Sequence, residues 1–225
     1  GIFRDVFLTA RPMSYLEDVE ILTGFDPEKS SGALEMSFTT NDGADLPLRL
    51  SIRNPSGTEL LNFSIRSSTG VSKTFTEIEP WSAERPHLYS LMIETLSDKG
   101  ETLEVISFHL GFRSIEIRDQ QFLVNGRPIT LKGVNRHEFD PDTGWTVSKA
   151  SMETDARMMK AHNINAVRTS HYINHPYWYH LCDRLGIYVI DEADLETHGF
   201  QLTSYCSRLS EYPEFEQSYL HHAMQ

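Results

Sequence analysis

The first half of the chain alternates hydrophobic and polar residues with a period of two. The clearest segments, at 33–38, 48–53, 61–66 and 91–96, read ALEMSF, LRLSIR, LNFSIR and LMIETL. Turn-forming sequences separate such segments, namely NDG, NPSG, STG and DKG. Short alternating strands with turns roughly every 8 to 12 residues are typical of an antiparallel β-sandwich. The pattern therefore predicts an all-β sandwich of immunoglobulin-like size.

The hydrophobic spacing changes after a hairpin-like segment at 115–128. Apolar runs at 129–135, 164–168 and 187–190 predict three strands, and the last run is of the kind that is buried on both faces in parallel sheets. Helix-like spacing at 148–163 and 176–185 predicts a helix after each of the first two strands. A strand–helix–strand–helix–strand order predicts right-handed βαβ units.

Sequence signals also mark the helix ends. Met152, Ala156 and Met159 recur at helical spacing after Ser148, which is available as the N-cap. In the second helix a proline lies in the first turn, and Gly186 follows the last turn. We interpret this half as the first three or so β/α units of a TIM (β/α)8 barrel. A complete barrel needs about 250 residues, so we expect the chain to be a piece of a larger protein.

Composition narrows the function classes. The 225 residues include 32 acidic and 20 basic ones, for a net charge of −12, which argues against a nucleic-acid partner. No apolar run approaches the roughly 20 residues that a membrane span requires, so we expect no membrane partner. Cys182 lies on an apolar helix face and is interpreted as a buried free thiol, which favours a reducing compartment.

Polar and titratable residues follow each predicted parallel strand. His137 follows the first strand, Arg168 and His171 follow the second, and Glu196 and His198 follow the third. In a (β/α) barrel the strands' carboxyl ends share one rim, where active sites are built. The sequence therefore predicts a functional site at this rim.

A metal site at the same rim is predicted from Glu196 and His198. Residues i and i+2 of an extended segment point the same way, so both side chains can reach one ion. Taken alone, a carboxylate with an imidazole favours zinc or another transition metal over magnesium. The adjacent Asp191 and Glu192 point to opposite faces. We therefore expect them to hold hydrogen bonds rather than form a catalytic carboxylate pair.

Several motifs resemble glycoside hydrolase family 2. The segments 165–172 (NAVRTSHY) and 182–192 (CDRLGIYVIDE) are similar to its first signature. The segments 133–138 (GVNRHE), 174–179 (NHPYWY) and 194–199 (DLETHG) resemble its β-galactosidase branch. The resemblance implies three regions: 1–8 as the end of an N-terminal sugar-binding jelly roll, 9–112 as the immunoglobulin-like sandwich, and 113–225 as the truncated N-terminal part of a catalytic TIM barrel.

The resemblance also implies residue roles. Glu196 and His198 correspond to two magnesium ligands, which replaces the zinc expected from ligand type. His137 and His171 correspond to contacts with galactose hydroxyls and the transition state, and Arg168 to the arginine that holds the nucleophilic carboxylate.

The implied activity is retaining hydrolysis of terminal non-reducing β-D-galactose residues, as in lactose and similar β-galactosides. The family's acid/base and nucleophilic glutamates are expected beyond Gln225, so no catalytic carboxylate is assigned within this chain. We expect it to be inactive alone, with a bacterial cytoplasmic location and homo-oligomeric assembly of the parent, and possible self-association of the fragment.

Two alternatives stay open. The chain could belong to another family 2 glycosidase such as a β-glucuronidase, whose acidic substrate would need additional cations near the rim; Arg136 and Arg168 are the obvious ones. The sandwich could also be a non-catalytic carbohydrate-binding or assembly module, although the scattered aromatic residues Tyr15, Phe63 and Phe75 do not favour this.

Overall fold

The structure is a computed structural model that describes residues 2–195 and 209–224. These residues fall into two compact units. Val6–Thr130 form the first unit, and the second comprises Leu131–Gln225 together with the N-terminal segment Gly1–Asp5.

Two antiparallel sheets make up most of the first unit. The first sheet has the order β1 (Leu16–Asp26), β2 (Ser31–Thr40), β5 (Val71–Phe75). The second has the order β4 (Glu59–Arg66), β3 (Pro47–Arg53), β6 (Tyr89–Leu96), β7 (Thr102–Leu110). The four alternating segments identified in the sequence lie in β2, β3, β4 and β6, so their prediction as strands is confirmed.

The two sheets face each other across one hydrophobic core. Alternate residues of the strands point into it, among them Leu34 and Met36 from β2, Leu50 from β3 and Ile93 from β6. Period-two patterning is therefore explained by one buried and one exposed face on each sheet.

Phe112 closes this core with aromatic contacts. Its ring centroid lies 5.1 Å from that of Tyr89, and the two rings meet edge to face. The Phe112 ring also covers Gly32 so closely that a Cβ atom on that glycine would lie 2.7 Å from it. Gly32 is thus required by a close approach between the strand and the ring.

A three-stranded hairpin sheet completes this unit. It contains β8 (Ile115–Arg118), β9 (Gln121–Val124) and the two-residue β10 (Arg127–Pro128), in the order β10-β9-β8. This agrees with the hairpin expected at 115–128.

The second unit is built from parallel β/α units. Its sheet has the order β11 (Gly133–Arg136), β12 (Ala166–Thr169), β13 (Tyr188–Ile190), and both strand pairs are parallel. Helix α1 (Lys149–Ala161) connects the first two strands, and α2 (Pro176–Leu185) connects the second and third. A short 3-10 helix (Leu209–Glu211) and α3 (Pro213–Met224) follow. Within the described residues, no helix is long and apolar enough to span a membrane.

The predicted helix signals are confirmed. The Ser148 side chain accepts the backbone N–H of Ser151, and the left-handed Gly186 ends α2 with its N–H bonded to the Cys182 carbonyl. Both helices pack on the sheet through one hydrophobic cluster. It includes Met152, Ala156, Met159, Trp178, Leu181 and Cys182. Cys182 is a buried free thiol, as expected.

Two details of the predicted strands are wrong. The first parallel strand begins at Gly133 rather than at Ile129, because Lys132 is bonded through its backbone N–H to the side chain of Asn165 and the parallel register starts one residue later. The third strand is not buried on both faces. Ile190 is 48% exposed, because β13 is at the edge of the sheet in the described part of the chain.

Candidate functional site

Three parallel strands end at one rim of the second unit. The register pairs Asn135 of β11 with Arg168 of β12, and Arg168 with Ile190 of β13. The residues that follow these strands therefore emerge side by side, as expected for a (β/α) rim.

Arg168, His171 and Glu192 form a cluster at this rim. The Arg168 Nε donates a short hydrogen bond to the Glu192 Oε1, and the Arg168 Nη2 lies 3.1 Å from the His171 Nδ1. The same imidazole nitrogen lies 2.9 Å from the Glu192 Oε2. Glu192 thus receives a guanidinium on one oxygen and an imidazole on the other.

The cluster is electrostatically balanced. Partial desolvation alone would raise the pKa of Glu192, but its interactions with Arg168 and His171 outweigh that effect, and the pKa is lower than usual. Glu192 is therefore ionised near neutral pH and compensates the charge of Arg168.

His137 joins the cluster from the neighbouring strand. Its ring meets the His171 ring nearly edge to face, with centroids 5.5 Å apart. A cavity of about 330 Å³ opens beside the cluster, lined by Arg168, His171, Glu192, Ala193 and Leu195. The structure thus brings together three of the five rim residues that the sequence analysis singled out, namely His137, Arg168 and His171.

A buried carboxylate next to the rim links several segments of this unit through hydrogen bonds. Glu138, next to His137, is only 5% exposed and accepts the backbone N–H of His175 at 2.9 and 3.0 Å. The Arg4 Nη2 donates to the Glu138 Oε2 at 2.9 Å. The same Nη2 also donates to the Ile173 carbonyl oxygen at 2.9 Å, and the Arg4 Nη1 donates to the Asn174 carbonyl oxygen at 3.0 Å.

Arg136 lies at the centre of the same network. Its Nη1 donates to the side chain of the fully buried Asn174 at 2.8 Å, and its Nε donates to Asp155 at 3.0 Å. The guanidinium also stacks 4.0 Å above the Trp178 ring and lies 3.6 Å from Glu138. These buried charges are therefore paired, as burial requires.

Asp191 and Glu192 point in different directions, as predicted. The Asp191 Oδ1 accepts the hydroxyls of Thr169 and Tyr179, each at 2.7 Å. Desolvation, followed by the hydrogen bond to Asp191, raises the pKa of Tyr179, which therefore stays a donor. Asp191 therefore links the end of β13 to β12 and α2, whereas Glu192 binds Arg168 and His171 at the rim.

The predicted metal ligands Glu196 and His198 lie outside the described residues. Across 2–195 and 209–224, no group of three or more potential ligand side chains is placed to hold a metal ion. The carboxylates of Glu138, Asp191 and Glu192 are each already bound by protein donors. Each of these three carboxylates therefore already has a hydrogen-bonding role within the described part of the protein.

Sequence reasoning missed two partners. Glu192 was expected only to hold rim hydrogen bonds, and its pairing with Arg168 and His171 was not foreseen. Arg4 and Glu138 are separated by 134 residues in sequence, so no local pattern could indicate their ion pair.

Two family models match nearly the whole chain. The model described as "Glycosyl hydrolases family 2" matches residues 14–113, and "Glycosyl hydrolases family 2, TIM barrel domain" matches 115–225. The chain is therefore a family sandwich domain followed by the start of a TIM-barrel domain.

Named relatives agree with this. The beta-galactosidase of Streptococcus thermophilus is 41% identical over 225 residues, and that of Aeromonas hydrophila is 38% identical over 232; each alignment covers 98% of this chain. The chain spans only 22% of the length of either relative. Among solved structures, the Bacteroides uniformis beta-glucuronidase 3 matches with a TM-score of 0.72 and 25% identity, covering 80% of this chain and 23% of that one. The strand-end cluster lies in the part matched by the barrel model, and the chain belongs to the glycosyl hydrolases family 2.

Proposed function

We propose that this chain is the central part of a retaining β-galactosidase that hydrolyses terminal non-reducing β-D-galactose residues. The observation that carries the proposal is the convergence of His137, Arg168 and His171 at the rim, where Arg168 and His171 line one cavity. The likeness to relatives named beta-galactosidase along nearly the entire chain supports galactose as the sugar.

The two histidines suit contacts with sugar hydroxyls and with the transition state. Each imidazole offers a nitrogen that can donate or accept a hydrogen bond; the two rings meet edge to face, and His171 lines the cavity. Hydrogen bonds that strengthen as charge develops lower the barrier more than uniform binding does.

Arg168 is proposed to hold the nucleophilic carboxylate. Its Nε and Nη2 face Glu192 and His171, while its Nη1 has no protein acceptor within the described residues. A guanidinium can bind carboxylates along more than one edge, so the Nη1 edge remains available for a second one.

The acid/base and nucleophilic glutamates are proposed to lie beyond Gln225. Retaining glycosidases need two carboxyl groups about 5–5.5 Å apart that face the scissile bond. Glu138 is buried among cations and a backbone N–H, and Glu192 is bound to Arg168, so both are committed to support. This chain alone is therefore proposed to be inactive.

Magnesium is proposed as the metal, with Glu196 and His198 as two of its ligands. Carboxylate oxygens suit Mg²⁺, which keeps several waters and needs few protein ligands. When bound, the ion would supply positive charge next to the sugar site.

A β-glucuronidase is the competing assignment, since the matched Bacteroides structure carries that name. A uronic acid substrate needs a cation free to bind its carboxylate. Arg136 is buried and bound to Asp155 and Asn174, and the open Nη1 edge of Arg168 is already assigned to the nucleophilic carboxylate. The charge arrangement of these two arginines thus favours a neutral sugar.

Finer features of the assembly are also proposed. The seven-stranded sandwich is assigned as immunoglobulin-like, and β11–β13 as the first three units of an eight-stranded barrel. Within the described residues β13 is an edge strand of the parallel sheet, which is consistent with further strands in the parent protein and with self-association of the fragment. The parent is proposed to be a homo-oligomer in the bacterial cytoplasm.

The decisive experiment measures nitrophenyl β-galactoside hydrolysis by this chain and by the same gene extended to its natural stop codon. An active long form, weakened by a chelator and restored by Mg²⁺, beside an inactive short form, is the expected result. A long form that prefers the glucuronide would overturn the galactosidase assignment. Turnover by the pure short form would place the catalytic carboxylates within this chain.

A variant pair tests the rim in the extended protein. Replacing His171 by Asn should lower kcat/KM by about 10²-fold, as loss of one transition-state contact does. Replacing His87 by Asn, in the sandwich, is the matched control and should leave kcat/KM unchanged. Equal effects of the two substitutions would refute the role of His171.

The sandwich-module alternative has its own test. Galactose or lactose is titrated into residues 5–112 and binding is followed by calorimetry. A measurable affinity would support a carbohydrate-binding sandwich; no heat of binding is expected.

A further inference from the structure

The Nδ1 atom of His171 lies between two groups of opposite hydrogen-bonding character. The Arg168 Nη2, 3.1 Å away, can only donate a hydrogen bond. The ionised Glu192 Oε2, 2.9 Å away, can only accept one. A ring nitrogen has either one N–H or one lone pair in the ring plane, so it cannot satisfy both neighbours at once.

The carboxylate contact is the one to be satisfied. With a lone pair on Nδ1, a negative oxygen would face it at 2.9 Å, and that contact would be repulsive. With a proton on Nδ1, the contact becomes a charge-assisted hydrogen bond. Arg168 loses little by this choice, because its Nε already donates to the other oxygen of Glu192.

We propose that Glu192 is a positioning residue that holds the His171 proton on Nδ1 and thereby presents Nε2 to the cavity as a hydrogen-bond acceptor. Building on the proposed glycosidase function, the group that Nε2 accepts from is a hydroxyl of the bound sugar. His171 would then recognise a hydroxyl by the hydrogen that it donates. A carboxylate that is hydrogen-bonded to one ring nitrogen often selects the histidine tautomer in this way, while the other nitrogen contacts the ligand.

In the isosteric variant Glu192→Gln, we expect the His171 proton to move from Nδ1 to Nε2. Arg168 can only donate, so the amide oxygen of the new side chain is expected to face the Arg168 Nε. The amide NH2 then faces the His171 Nδ1, which must become an acceptor. The proton should move to Nε2, and His171 would offer a donor to the sugar instead of an acceptor.

The test is the ring ¹⁵N chemical shift of His171, measured in long-range ¹H–¹⁵N spectra of this whole chain at about pH 9, where an ordinary imidazole is neutral. The His171 signals are assigned by their loss in His171→Gln. In the unmodified chain, Nδ1 should show the shift of a protonated nitrogen. In Glu192→Gln, Nδ1 should show the shift of an unprotonated one.

Two further variants keep the proposal falsifiable. Asp191→Asn removes the adjacent carboxylate, which binds Thr169 and Tyr179 instead of the imidazole, and should leave the proton on Nδ1. Arg168→Met removes the competing donor and should also leave it there. Amide signals of β11, β12 and α2 report whether the second unit of each variant is folded.

An unprotonated Nδ1 in the unmodified chain would overturn the proposal, since Arg168 would then set the tautomer. An unchanged tautomer in folded Glu192→Gln would overturn it as well. These readouts need no turnover, so they stand apart from the galactosidase assignment. Inactivity of the extended protein on galactosides would refute the assignment while leaving the tautomer result intact.

Discussion

Replacing Glu138 by Gln should destabilise the barrel unit strongly, although the two side chains have the same shape. Glu138 is 5% exposed and accepts hydrogen bonds from Arg4 at 2.9 Å and from the backbone N–H of His175 at 2.9 and 3.0 Å. The guanidinium of Arg136 also lies 3.6 Å from its carboxylate. An amide oxygen can still accept from His175, but the charge that balances the two arginines is lost.

The magnitude follows from what each partner retains. A hydrogen bond to a charged group contributes about 1.5–3 kcal/mol, and removing one member of a buried ion pair costs about 3–5 kcal/mol when the other stays uncompensated. Arg136 keeps Asp155 and Asn174, and the Arg4 side chain is 32% exposed, so water screens part of its loss. The expected cost is therefore about 2–4 kcal/mol.

Native-state hydrogen exchange measures this cost within the affected unit. The free energy of opening is read from the β12 amides, and the matched control Glu94→Gln is read from the β3 amides. Glu94 holds Arg49 through both carboxylate oxygens at 2.5 and 2.6 Å, but on a more exposed sheet face, so its loss should cost at most about 1 kcal/mol. A Glu138→Gln effect no larger than this control would refute the reasoning from burial.

Three further predictions concern packing, reactivity and pH. Gly32→Ala should lower the free energy of unfolding of the sandwich by about 1–3 kcal/mol in urea titrations, because the new Cβ would lie 2.7 Å from an aromatic ring. The control Gly24→Ala lies in the adjacent strand, where the new Cβ would be 3.7 Å from the nearest atom, and it should cost less than about 1 kcal/mol. Equal costs of the two substitutions would contradict this reasoning. Burial raises the pKa of the Cys182 thiol to about 12. In a variant whose other cysteine is replaced by serine, iodoacetamide at about pH 8 should therefore alkylate the chain only after unfolding. Rapid labelling of the folded protein would refute this. The backbone N–H of Ser68 and a neighbouring guanidinium lower the pKa of Asp45 from 3.8 to about 2. The contribution of Asp45 to the free energy of unfolding should therefore be complete above pH 3.8 and lost as the pH falls towards 2, and Asp45→Asn should flatten that part of the stability profile. A variant profile parallel to that of the unmodified chain would exclude this role.

The sandwich was predictable because its signal is local. Residues such as Leu48, Leu50 and Ile52 alternate with exposed neighbours, and the same alternation decides which face is buried. The pairing of β3 with β6 in one sheet and of β2 with β5 in the other was not predictable. Such pairings join strands that are distant in sequence, and period two is equally compatible with several strand orders.

The parallel half was predictable at its helix ends and less so at its strand ends. Ser148 and Gly186 mark helix boundaries through backbone groups that they satisfy or conformations that they permit. The run at 129–135, by contrast, was assigned as one strand from hydrophobicity alone. Its true start depends on the side-chain amide of Asn165, which a local pattern does not reveal.

The rim histidines illustrate the limit of sequence reasoning about a site. Motif position places His137 and His171 at neighbouring strand ends, and the structure brings their rings together. What each ring can do for a substrate depends on its protonation, which neighbouring charges decide. For His171 those neighbours are Arg168 and Glu192, and the carboxylate reaches it from the next strand. Alternation predicted that Asp191 and Glu192 diverge, but it could not tell which of them would face the imidazole. That choice follows from the register of β13 against β12, and with it the choice between a histidine that accepts from the sugar and one that donates to it.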